Sequence, residues 1–72
     1  MSKKPVDVRI VPHHGEWAVK LTGGFGNKPI EVTQSRKIAL ETATWVAIRN
    51  EVPLLEYDEN GSFMQCTPWK EL

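Results

Sequence analysis

The 72-residue sequence predicts a small α+β domain, an antiparallel sheet of about five strands covered on one face by a single helix. Three observations carry this reading. Short apolar–polar alternations bounded by turn residues lie on both sides of one long alanine-containing segment. That segment opens at Ser35 and closes before Pro53. Every connection is short enough to be local, so the element order reads βββαββ.

Val6, Val8 and Ile10 alternate with Asp7 and Arg9, the period of two expected of a strand with one face buried and one wet. Pro12-His13-His14-Gly15 breaks that pattern with turn residues. Trp17, Val19 and Leu21 then alternate with Ala18 and Lys20, predicting a second strand that pairs back as a hairpin. Gly23-Gly24-Phe25-Gly26-Asn27 supplies a loop, after which Pro29 precedes a short third strand with Ile30 and Val32 interleaved with Glu31 and Thr33.

Ser35 suits an N-cap, because its hydroxyl can accept a hydrogen bond from a free amide of the first turn. The helix is expected from about Arg36 to Asn50 or Glu51, stopping where Pro53 disfavours helical backbone at Val52. Leu54, Leu55 and Tyr57 predict a fourth strand. Asn60-Gly61 predicts a type I′ hairpin turn, and Phe63, Met64 and Cys66 a fifth strand ending near Pro68. The whole of residues 1–72 reads as one domain, with residues 1–5 expected to be a disordered tail.

Placing the helix residues at intervals of about 100° gathers Ala39, Ala43, Val46 and Ala47, flanked by Leu40, into one arc, expected to lie on the sheet. The far face of the sheet is expected to be polar. The same wheel puts Ile38, Trp45 and Ile48 in an opposite arc with Glu41 between them. An exposed Trp and two exposed Ile forgo about 1.5–3 kcal/mol each relative to burial, and an apolar group of that size marks a contact surface. In the opposite helix phase Trp45 would face the sheet and the alanines would face solvent.

Apolar residues at 40% and charged residues at 25% belong to an ordinary folding chain. A single cysteine, Cys66, cannot form an internal disulfide, and a domain this small without bridges fits a reducing compartment, so the expected location is the cytoplasm. No apolar run approaches the ~20 residues needed to cross a bilayer. The net charge is zero, which removes the general attraction to nucleic acid of a basic domain. The charges are nevertheless segregated: residues 1–37 hold seven basic and three acidic residues, and residues 38–72 hold two basic and six acidic.

His13, His14 and Glu16 have ligand chemistry, but adjacent residues at a hairpin end point apart, so no metal site is expected. Cys66 has no base beside it in sequence and reads as a small buried strand residue. The glycine-rich segment through Lys28 lacks the order of a phosphate loop and joins two strands instead of opening a helix. It does place Phe25 and Lys28 where a stacking or partner-binding loop would show them. Arg36 and Lys37 in the first helical turn, beside Ser35 and the free amides, form a candidate anion contact.

Val11-Pro12, then Gly15-Glu16-Trp17-Ala18-Val19-Lys20, Ser35 with alanines at 39, 43 and 47, Leu54-Leu55 and Asn60-Gly61 resemble the bacterial family catalogued as domain of unknown function 2188, over about residues 8 to 65. The resemblance implies a small sheet-plus-helix domain and assigns no activity and no functional residue. The chain departs from that family in its long glycine-rich loop and at Ile38, where an acidic residue is common. A weaker resemblance runs to the arm-type DNA-binding domain of phage integrases. That domain has a Trp-containing strand, a glycine-bearing turn, another strand and a helix with an aromatic residue near its end. It implies nucleic-acid contact through the wet sheet face, where Arg9 and Lys20 would attract phosphate and Asp7 and Glu31 repel it.

With no paired carboxylates, triad or metal spacing, the sequence predicts neither an enzyme nor a cofactor, and no small-molecule substrate is evident. The first expectation is an interaction module, a homodimer or a protein that docks on a partner, acting through Ile38, Glu41, Trp45 and Ile48. The second is a nucleic-acid-binding module acting through Arg9, Lys20, Phe25, Lys28, Arg36 and Lys37.

Overall fold

The computed structural model describes residues 4–23 and 29–72. The expectation for the 1–5 tail falls largely on residues 1–3, outside that range. Five strands and one α-helix follow in the expected order: β1 Asp7–His13, β2 Glu16–Thr22, β3 Pro29–Thr33, α1 Arg36–Asn50, β4 Leu54–Tyr57 and β5 Phe63–Thr67. A 3₁₀ turn, Trp69–Glu71, ends the chain and was not read from the sequence. It lets Leu72 return to pack against the core.

The sheet order is β3-β2-β1-β4-β5, and the sheet is mixed, which corrects the expectation of a purely antiparallel one. The correction follows from chain direction. β2 runs against β1 and β3 against β2, so β3 points the same way as β1. A helix carries the chain back along its own length, so β4 again points the way β3 does. Docking β4 on the free side of β1 therefore makes that pair parallel, with Val8 opposite Leu54 and Ile10 opposite Glu56. A crossover of this kind needs a dozen or more residues, which α1 supplies.

Val8, Ile10, Val19, Val52 and Leu54 meet Ala39, Ala43 and Ala47 in one core. The three alanines are fully buried, so the expected helix phase holds, and their small side chains let α1 lie close on the sheet. Ser35 caps the helix as expected, its hydroxyl accepting from the Ile38 amide at 3.3 Å. At the other end Glu51 takes a left-handed conformation (φ 54°) and its amide closes on the Ala47 and Ile48 carbonyls.

The type I′ geometry expected at Asn60-Gly61 is found instead at the first hairpin turn. His14 and Gly15 both have positive φ (51° and 80°) between the paired His13 and Glu16, so this two-residue loop meets the type I′ requirement. At Asn60-Gly61 only Gly61 has positive φ, at 83°. The Gly61 amide donates to the Asp58 carbonyl and the Asp58 amide to the Ser62 carbonyl, both at 2.9 Å. This is a three-residue loop, a type I turn followed by a left-handed glycine, and it replaces the expected type I′ turn. The reason is Asp58, whose Oδ1 accepts from the Asn60 amide at 2.8 Å and the Ser62 amide at 2.9 Å.

Two further expectations fail at the sheet. Val6 precedes β1 and is exposed instead of joining Val8 and Ile10 in the core. In β3, Val32 lies opposite Ala18 and Glu31 opposite the core residue Val19, so Glu31 takes the helix side and Val32 the open side. The apolar residues of β3 thus face away from α1.

Candidate interaction surface

The outer face of α1 is the most apolar exposed part of the helix. Ile38, Trp45 and Ile48 are 48%, 68% and 42% exposed, and each lies opposite the buried alanine stripe. Glu41 is exposed among them. The spacing of 38, 41, 45 and 48 alternates steps of three and four residues, which aligns the four side chains along a single seam. Beside it a shallow hollow is lined by Leu40, Glu41, Thr44 and Trp45. Apolar residues thus occupy both sides of α1, although only one side has a partner within the described residues.

The six residues of the second candidate set are not brought to one surface. Phe25 and Lys28 lie outside the described residues. Arg9 and Lys20 are register partners on the open sheet face and line a shallow hollow with Val11 and Thr22. Arg36 and Lys37 belong to the helix layer on the other side. Lys37 is exposed, but Arg36 turns inward. Its Nη2 lies 3.4 Å from Glu56 Oε1 and 3.7 Å from Met64 Sδ, and its guanidinium carbon sits 5.2 Å from the Trp17 ring centre. Gln65 donates to the other Glu56 oxygen. Arg36 therefore neutralises a buried carboxylate and bridges the first helical turn to β2, β4 and β5.

Arg9 is similarly engaged. Its Nε donates to Asp7 Oδ1 at 3.0 Å, and Asp7, itself buried, also accepts from the Thr22 hydroxyl. This hydrogen bond, helped by the Asp7 charge and opposed by partial desolvation, holds the Arg9 pKa above its ordinary value. Of the two acids expected to repel phosphate from this face, Glu31 is on the helix side, whereas Asp7 stays beside Arg9 and pairs with it.

Compared with known proteins, the chain matches no family model, no curated protein and no solved structure.

The open face of the sheet is less polar than expected. Register places Val32, Ala18 and Val11 side by side on β3, β2 and β1, and Tyr57 with Phe63 next in line on β4 and β5. The two rings meet edge to face with centroids 5.8 Å apart. An apolar and aromatic row thus crosses all five strands beside a second row of Lys20, Arg9, Leu55 and Cys66. Sequence reasoning assigned no site role to Tyr57 or Phe63. The signal was present in β4, where Leu55 and Tyr57 alternate with the buried Leu54 and Glu56.

Cys66 is exposed, correcting its reading as a small buried residue. β5 is an edge strand, and Cys66 lies opposite Leu55 on the open face of the sheet, away from α1. The His13 and His14 rings pack on each other, with centroids 4.6 Å apart. Among the described residues no group of three His, Cys, Asp or Glu side chains is placed to hold a metal ion. No described helix is long and apolar enough to cross a membrane.

Proposed function

We propose that this chain is a non-enzymatic interaction module that docks on a protein partner through the outer face of α1. The observation that carries the reading is the 68% exposure of Trp45, in line with Ile38 and Ile48 on a helix whose opposite face is already anchored by fully buried alanines. A side chain so placed contributes little to its own fold and most to a surface that covers it. The three residues present roughly 300 Å² of apolar surface, so two copies back to back would cover roughly 600 Å², well under half of the roughly 1,600 Å² of a standard stable interface. A grooved partner that takes the helix on three sides covers more of it, which favours docking over self-association through this stripe alone.

The test compares retention of proteins from the source organism's lysate by immobilised wild type, Trp45→Ala and Lys70→Ala, followed by titration of any purified partner. Binding kept by Lys70→Ala and weakened roughly tenfold or more by Trp45→Ala supports the reading. Equal retention by all three, with sedimentation unchanged by Trp45→Ala, overturns it.

One observation favours a second reading, nucleic-acid binding by the open sheet face. Lys20 and Arg9 lie side by side next to the row that ends in Tyr57 and Phe63, a pairing of cations with aromatic rings that suits single strands. Binding of a fluorescent oligonucleotide that weakens with salt and is lost in Phe63→Ala would support it. No retention at low ionic strength disposes of it.

A further inference from the structure

The two edges of the sheet are built differently. β3 carries the devices that keep an edge from pairing: it begins with Pro29, contains Glu31 and is thrown out of register by a shift opposite Val19 and Lys20. β5, Phe63-Met64-Gln65-Cys66-Thr67, has no charged residue and no proline. Its one register shift is confined to its first residues, opposite Glu56 and Tyr57. Phe63 and Met64 are each more than half exposed, and α1 packs chiefly on β1, β2 and β3, reaching β5 through the contact of Arg36 with Met64. Along its outer side the strand offers a row of backbone amides and carbonyls with no described partner. The group that satisfies such a row is another extended strand.

We infer that β5 is a self-pairing edge, at which a second copy of this chain adds its own β5 antiparallel about a two-fold axis through Cys66. This register keeps to the regular part of the strand beyond the shift at Met64, setting Cys66 opposite Cys66 of the second copy and Gln65 opposite its Thr67, so that paired side chains share a face. Antiparallel pairing of a strand with itself brings each residue type near its own kind across the axis, so charges would oppose like charges. β5 holds none, and it is self-complementary for that reason. The product is a continuous ten-stranded sheet. Because the axis is perpendicular to the sheet, both α1 helices stand on the same side with their Trp45 stripes free. A dimer of this form presents two docking helices to one partner surface, an arrangement that raises avidity without any new contact.

The experiment is sedimentation equilibrium of wild type, Trp45→Ala, Cys66→Ala and Cys66→Lys, with thermal unfolding by circular dichroism confirming that each variant folds. A short bismaleimide reports on proximity in the two chains that retain Cys66, wild type and Trp45→Ala. Wild type, Trp45→Ala and Cys66→Ala should all dimerise, and the reagent should bridge the two cysteines of a dimer. Cys66→Lys, which places a charge on the edge, should weaken dimerisation roughly tenfold or more. A wild-type monomer at all concentrations overturns the inference, as does a dimer lost in Trp45→Ala but kept in Cys66→Lys, which would move self-association to the helix. A dimer that the bismaleimide does not bridge overturns it too. The helix-docking reading is tested separately by the retention comparison, so each can fail alone.

Discussion

Arg36→Ala discriminates between a basic side chain kept for an external anion and one that holds the fold together. Glu56 lies on the helix side of β4 with its side chain 10% exposed, and Arg36, 33% exposed, is its partner at 3.4 Å. Removing one member of a fully buried pair costs about 3–5 kcal/mol. Here the arginine is a third exposed, so water can reach the carboxylate once the guanidinium is gone, and Gln65 remains as a donor. Roughly 2 kcal/mol is the discounted figure. Losing the guanidinium from the Trp17 ring adds about 0.5–1 kcal/mol. A total of roughly 2–3 kcal/mol corresponds to a fall in Tm of roughly 10–20 °C for a domain of this size. Thermal and urea unfolding of Arg36→Ala, Glu56→Gln and the double variant measure it. Glu56→Gln in the Arg36→Ala background should restore about 1 kcal/mol or more, since an amide needs no counter-charge. A loss below about 0.5 kcal/mol, or strictly additive single effects, would refute the bridge and return Arg36 to the pool of free surface cations.

Three other outcomes are expected. Trp45→Ala should leave the unfolding free energy within about 0.5 kcal/mol of wild type by urea denaturation, because the side chain meets solvent more than protein. Ala43→Leu should destabilise by about 1–3 kcal/mol in the same assay, since a fully buried alanine between α1 and the sheet leaves no room for a larger side chain. Glu51→Gly should stabilise by about 0.5–1 kcal/mol, because residue 51 closes the helix at φ 54°, a conformation glycine adopts without penalty.

The elements written most clearly in the sequence are those decided by neighbours along the chain. α1 is bounded by a capping serine and a proline, and both act locally, so its ends were legible to within a residue. Its phase was legible as well, because three alanines recur at a spacing of four and the sheet accepts nothing larger there. The parallel β1–β4 pair was not legible from alternation alone. Which strand docks beside which depends on the side left free after the first hairpin, and that is a property of the assembled sheet. The type I′ assignment at Asn60-Gly61 failed for a local reason: Asp58, two residues upstream, offers its carboxylate to two backbone amides and selects the longer loop.

The site residues divide along the same line. Ile38, Trp45 and Ile48 could be found because a helix repeats its faces at a fixed angle, so an apolar residue off the core arc is conspicuous in sequence. Arg36 could not be placed, because its partners Trp17, Glu56 and Met64 come from three different strands. The aromatic row was hidden for a related reason. Val32, Ala18, Val11, Tyr57 and Phe63 each come from a different strand and are aligned only by register. A contact surface carried on one helix can be read from one segment of sequence. A surface or an edge made by a sheet can be read only once the strand order is known, which is why the bareness of β5 became visible only when β5 took its place at the end of the sheet opposite the proline-guarded β3.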